Sequence, residues 1–175
     1  MIEQHLDGYE CPKIPTFQFA LSEGLGDEFL PTKGSERATG WDVRANGDQT
    51  IYMGMYAKIS LGFRAFIPEG WWLTLYPRSS SFTKKNLHAL YGVIDEDYGG
   101  QMIFACQYLP ETIGSQMLDI FNYPKLEIKH GEAIGQLIPV RREEMKVRKV
   151  SNEEIENLYR ERGSKRGNGG FGSTG

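Results

Sequence analysis

An all-β barrel or sandwich is the fold class this sequence predicts, and three observations predict it. Apolar and β-branched residues gather in short runs, turn residues cut the runs at close intervals, and two successive runs have the form of a hairpin. The runs are Thr50–Tyr56, Lys58–Ile67, Trp71–Tyr76, Gln101–Tyr108 and Ala133–Val140. Between them stand Asn46-Gly47-Asp48, Pro68-Glu69-Gly70 and Gly99-Gly100, whose residues favour turn geometry over a ladder. Phe63–Ile67, Pro-Glu-Gly and Trp71–Leu75 make the hairpin.

One helix is expected. Ser151 precedes Glu154 at the capping-box spacing, Ile155, Leu158 and Tyr159 share one face, and Gly163 supplies the stop. Beyond it the chain is rich in glycine and expensive to order. Such a tail reads by itself as a disordered terminus, but one Arg and one Phe, Arg166 and Phe171, stand in it among small residues, a pattern suited to ordering on a ligand that offers phosphate and a planar ring. The segment Pro110–Glu132 is long for a connection and reads as an elaborated loop or extra hairpin. The expected organisation is therefore a β domain over 1–150, with 110–132 as an elongated loop or insertion, and a helix plus arm over 151–175.

Composition narrows the function classes. The chain has 175 residues, 39% apolar and 25% charged, with a formal net charge of −3. No basic face is implied, so no nucleic-acid polymer is expected as partner, whereas a small polyanion can be held by a few placed Arg side chains and backbone N–H groups. Cys11 and Cys106 lie far apart in no metal-like spacing, and read as buried or free thiols in a reducing compartment. His5, His88 and His130 are isolated from one another. The N-terminal MIEQHLDGYECP is acidic and lacks an apolar core, and no run approaches a membrane span, so a cytoplasmic protein is expected.

Four segments ask for a chemical account. Ala38–Ala45 carries Asp42 inside a strand-like stretch. Tyr76–Ser81 places Arg78, Ser79 and Ser80 directly after a strand-ending proline, an arrangement that can cradle an anion. Tyr91–Gly100 contains three consecutive acids, Asp95, Glu96 and Asp97, followed by Tyr98. Like charges so close repel unless compensated; in a strand Asp95 and Asp97 would share a face and Glu96 would point away, and a solvated acidic turn is the other reading. Gly131–Val140 reads as a buried strand with a single polar Gln136, which needs a partner.

In this order and spacing, the four segments and the tail resemble the five motifs of the trimeric dUTPase family, from about Ala38 to Gly175. The resemblance implies a jelly-roll-like β-barrel, a homotrimer with shared active sites, and a C-terminal arm that covers a neighbour's site. It implies hydrolysis of dUTP to dUMP and pyrophosphate by water attack at the α-phosphate, limiting uracil in DNA and supplying dUMP for thymidylate synthesis. Mg²⁺ would be held by the triphosphate and water. Asp95 matches the general base, Arg78, Ser79 and Ser80 the phosphate ligands, and Gln136 the glutamine near the phosphates. Asp42 matches a structural or outer-shell aspartate. Tyr98 matches the ring against C2′ of deoxyribose, where a 2′-hydroxyl would collide. Uracil would be held by main-chain groups between about Ala89 and Val93, in a hairpin leading into Asp95. Gly92, Ile94, Ile103 and Gly172 complete the implied binding set, with Arg166 on the terminal phosphates and Phe171 over the base.

The chain departs from the family pattern in places. Ala89 stands where many bacterial members have Asn, and Thr39 where Ala is usual. The 110–132 stretch is about a dozen residues longer than in compact members. Similar insertions occur in bacteriophage members, which points to a phage or prophage origin and to the host cytoplasm. Two alternatives stand beside the hydrolase. A dCTP deaminase shares the fold but needs a glutamate about ten residues after the Asp95 position, where Ala105 and then Cys106 are found. A regulatory protein of this fold could bind a protein partner through 110–132.

Overall fold

The structure, a computed structural model, describes residues 14–110 and 123–163. Arg166, Phe171, Gly172, Cys11 and most of the 110–132 segment lie outside the described residues. Among the described residues eleven strands and two α-helices follow in order: β1 (Gln18–Leu21), β2 (Thr32–Lys33), β3 (Trp41–Arg44), β4 (Gln49–Tyr52), β5 (Tyr56–Phe66), β6 (Trp71–Pro77), α1 (Ser79–Thr83), β7 (Leu87–Ala89), β8 (Gly92–Ile94), β9 (Gln101–Tyr108), β10 (Lys125–Ile128), β11 (Ala133–Arg141) and α2 (Asn152–Glu161). The chain divides into a unit ending at Arg142, which holds every strand, and a second beginning at Glu143, which holds α2.

The fold is all-β and jelly-roll-like. Its ladders form a four-stranded sheet ordered β1-β5-β9-β7, a five-stranded sheet ordered β2-β3-β11-β6-β8, and the pair β10-β4. Alternation explains the layers. Along β5, Ala57, Ile59, Leu61, Phe63 and Ala65 are buried, and along β9 so are Met102, Phe104 and Cys106. They join Val43, Leu73, Leu75, Ile134 and Leu137 of the five-stranded sheet in one core. Burial of Cys106 pushes its thiol up to about 11, so it stays protonated at neutral pH.

The long runs form strands close to the expected bounds, with exceptions that have physical causes. Thr50–Tyr56 is not continuous: Gly54 takes φ +75° and the Met55 N–H bonds the Tyr52 carbonyl at 2.9 Å, turning β4 into β5. The 110–132 stretch is not all insertion, because β10 pairs with β4 and Ile128 is fully buried. Helix α1 was not anticipated. Helix α2 follows the expectation: the Glu154 N–H donates to Ser151 Oγ at 3.1 Å, and Gly163 takes φ +73° at the stop.

A bulge in β11 fixes the site's foundation. Ala133 pairs with Arg44 and Gly135 with Val43, so Ile134 is the extra residue. Its carbonyl accepts the Arg78 N–H at 3.2 Å and Ser81 Oγ at 2.8 Å, which ties the start of α1 to the sheet. Gly135 must be small: a Cβ there would lie 3.0 Å from the Phe104 ring and 3.1 Å from the Tyr76 carbonyl oxygen. Phe104 is fully buried and the carbonyl belongs to a ladder strand, so neither can yield cheaply. Gly135→Ala is expected to lower stability by about 1–3 kcal/mol. An unchanged melting temperature in that variant would show the packing to be looser than drawn.

Candidate active site

The arginine–serine end of the candidate site is built on neighbouring strands. Gln136 of β11 sits opposite Asp42 of β3 on one side and Tyr76 of β6 on the other, so the three share one face. That face points away from the core, since their sequence neighbours Val43, Leu137 and Leu75 point in. Gln136 is therefore partly exposed rather than buried, and no buried side-chain N or O lacks a partner among the described residues. Gly40 leaves room for it, because a Cβ there would collide with its amide. Arg78 follows β6 and its Nε lies 3.4 Å from Asp42 Oδ1, with both side chains partly exposed. Asp42 thus orients the guanidinium while leaving donors for an anion. Helix α1 begins directly after Arg78, so the Ser79 and Ser80 N–H groups have no helical acceptor, and their hydroxyls stand beside them.

A groove of about 320 Å³ runs from this end, lined by Pro77, Arg78, Ser79 and Phe82 on one wall and Leu87, His88, Ala89 and Tyr91 on the other. Tyr91 packs against Tyr76 with ring centroids 5.5 Å apart. The expected hairpin leading into Asp95 is not one: β7 pairs with β9 and β8 pairs with β6, so the chain crosses from one sheet to the other at Leu90 and Tyr91. Both β7 and β8 are edge strands. Each therefore keeps main-chain N–H and C=O groups that its ladder does not use, suited to reading the edge of a base.

The acidic segment is a turn, not a strand, so Asp95 and Asp97 do not share a strand face. The Tyr98 N–H bonds the Asp95 carbonyl at 3.1 Å, closing it. Asp95, Asp97 and Tyr98 are exposed. The Tyr98 hydroxyl donates to the Gln101 carbonyl at 2.9 Å, and its ring folds over Gly100, where a Cβ would come within 2.6 Å of it. Ile103 lies on the outer side of β9, 38% exposed.

The single chain does not bring these two ends together. In the β6–β8 register Gly92 pairs with Leu75 and Ile94 with Leu73. Arg78 follows one end of β6, while Asp95 follows the strand paired toward the other. Five residues from Leu73 to Arg78 span roughly 17 Å at strand rise. Sequence reasoning missed Tyr76 and Tyr91, whose contact needs the fold, and Glu96, for which the run of three acids was the available signal.

The chain is a jelly-roll-like β protein that carries an arginine–serine cluster at one end of a strand pair and an exposed carboxylate turn toward the other. Residues 28–108 match the family model described as dUTPase. The chain is 33% identical over 145 residues to the deoxyuridine 5'-triphosphate nucleotidohydrolase of Mus musculus, covering 83% of this chain and 77% of that protein. The chain belongs to the dUTPase family. Among solved structures, Staphylococcus bacteriophage 80alpha dUTPase with dUPNHPP is similar at 25% identity, covering 91% of this chain and 98% of that one, with a TM-score of 0.71. The dUTPase of phage phi11 of S. aureus, described with a structural Mg(II) ion, shares the fold at 20% identity, covering 78% and 97%, with a TM-score of 0.65.

Proposed function

We propose that this protein hydrolyses dUTP to dUMP and pyrophosphate, with Asp95 as general base. The observation that carries it is the exposed Asp95 carboxylate in a turn closed by the Tyr98 N–H, in a chain whose Arg78, paired with Asp42, keeps donors for phosphate. Asp95 takes a proton from water as its oxygen attacks the α-phosphorus. The bond to the bridging oxygen breaks and pyrophosphate leaves. Arg78, Ser79, Ser80 and Gln136 hold the phosphates, so most of the work is positional and electrostatic. The unused main-chain groups of Ala89–Val93, with Ile94 behind them and Ile103 beside, read the base, and Tyr98 excludes a 2′-hydroxyl. By the family resemblance, Arg166, Phe171 and Gly172 act on the nucleotide, with 151–175 as helix and arm after a β domain over 1–150.

Among the described residues no three His, Cys, Asp or Glu side chains gather to hold a metal. Mg²⁺ held by triphosphate oxygens and water would neutralise phosphate charge, with Asp42 as an outer-shell contact. The separation of Asp95 from Arg78 supports a site completed between copies of the chain, and a homotrimer is the assembly we propose. No described helix is long and apolar enough to cross a membrane. We place the activity in the cytoplasm, the host's if the gene is a phage's. Ala105 of β9, at the position a deaminase would fill with glutamate, brings no carboxylate.

Pyrophosphate release from dUTP, dCTP, dTTP and UTP tests the reading. Turnover of dUTP far above the others is the expected result, and Tyr98→Ala should gain turnover of UTP. Preference for dCTP would overturn the assignment, and unaltered rejection of UTP by the variant would move ribose exclusion to another residue.

A further inference from the structure

We propose that Glu96 is a positioning residue for this reaction, holding the Asp95 turn through a closed ring of contacts with Gly70 and Arg142; the inference rests on Asp95 being the general base. Glu96 Oε2 accepts the Gly70 N–H at 2.8 Å. Glu96 Oε1 lies 2.6 Å from Arg142 Nη1. The Arg142 N–H in turn donates to the Gly70 carbonyl at 2.8 Å. Three separate pieces of chain meet here: the acidic turn after β8, the turn between β5 and β6, and the residue following β11. Gly70 holds φ +77°, a conformation glycine adopts without strain, and both of its main-chain polar groups serve the ring.

The consequence falls on Asp95. Three consecutive carboxylates repel, and the turn could relieve that by swinging any of them outward. Glu96 is the one compensated: the Gly70 N–H first and the Arg142 guanidinium second hold its carboxyl below the usual range, and it is the partly buried member. Asp95 and Asp97 are left exposed. Asp95 is thereby fixed from both sides, by buried Ile94 paired to Leu73 and by clamped Glu96. A general base must sit within hydrogen-bond reach of its water, and small misplacements are costly in rate. Arg142 is also the last residue of the β unit, so the same ring pins the point where the C-terminal segment departs.

Steady-state kinetics on dUTP with the full chain test this, alongside melting temperatures. Glu96→Ala removes both contacts and should lower kcat by about 10- to 10²-fold with KM nearly unchanged. Glu96→Gln, which can still accept the Gly70 N–H, should fall between. A lowered melting temperature with parental kcat in both Glu96 variants would mean a merely structural ring and overturn the inference. If Glu96→Ala does not fold, Glu96→Gln decides alone by the same criterion. Activity in the parent and its loss in Asp95→Asn would leave the functional reading standing even where the Glu96 inference fails. A parent inactive on dUTP would sink both.

Discussion

Asp95→Asn is expected to fold, bind dUTP and turn over about 10²–10⁴-fold more slowly than the parent. Asn has nearly the size of Asp but cannot accept a proton from water at neutral pH. The fold should not notice, because the Asp95 side chain is exposed and its structural contribution is the main-chain carbonyl that accepts the Tyr98 N–H at 3.1 Å. The two parts of the expectation are read separately. Circular dichroism and the melting temperature report the fold, and calorimetric titration with a non-hydrolysable dUTP analogue reports binding. Near-parental turnover would remove Asp95 from the chemistry. Lost binding together with lost turnover would make it a ligand of the nucleotide instead.

The second large effect is recovery of activity from two dead proteins. Arg78→Ala should be nearly inactive, since a guanidinium oriented by Asp42 is the principal cation of the phosphate end. Arg78 and Asp95 stand toward opposite ends of the β6–β8 pair, so a dUTP that meets both is expected to draw them from two copies of the chain. If sites form between copies, unfolding and refolding an equal mixture of Arg78→Ala and Asp95→Asn rebuilds some sites with both groups intact. Random assembly puts an intact pair in about a quarter of the sites of a closed ring of identical subunits. Pyrophosphate release near that fraction of the parental rate is the expected result. A mixture as inactive as its components would show that each site draws Arg78 and Asp95 from the same chain, and light scattering at one chain mass would reject the trimer directly.

How much of this was legible beforehand follows from what each feature depends on. The strands of the core were legible because burial on one face imposes a two-residue period: β9 and β11 match the expected Gln101–Tyr108 and Ala133–Val140 to within a residue. The cap of α2 was legible because Ser151 and Glu154 meet within one turn. Helix α1 was not, since Ser-Ser-Ser-Phe-Thr has no helical period. It forms because the β11 bulge offers Ile134's carbonyl to Arg78 and Ser81. Strand β10 was hidden in 110–132 because its four residues are recognisable only by their pairing with β4.

Residue type and spacing were enough for the class of fold, the order of the motif segments and the identity of the groups that can do chemistry: an arginine with serines, a run of acids before a tyrosine, a lone glutamine in a strand. These are local properties, set by residue type and spacing. Which of them meet is set by the folded chain. It joined Asp42 to Arg78 across 36 residues, set Gln136 between Asp42 and Tyr76, and closed Glu96 onto Gly70 and Arg142. It also turned the acids out of a strand and parted Asp95 from Arg78 along β6. Such contacts depend on strand register and on edges between sheets, which are properties of long-range pairing that no window of sequence contains.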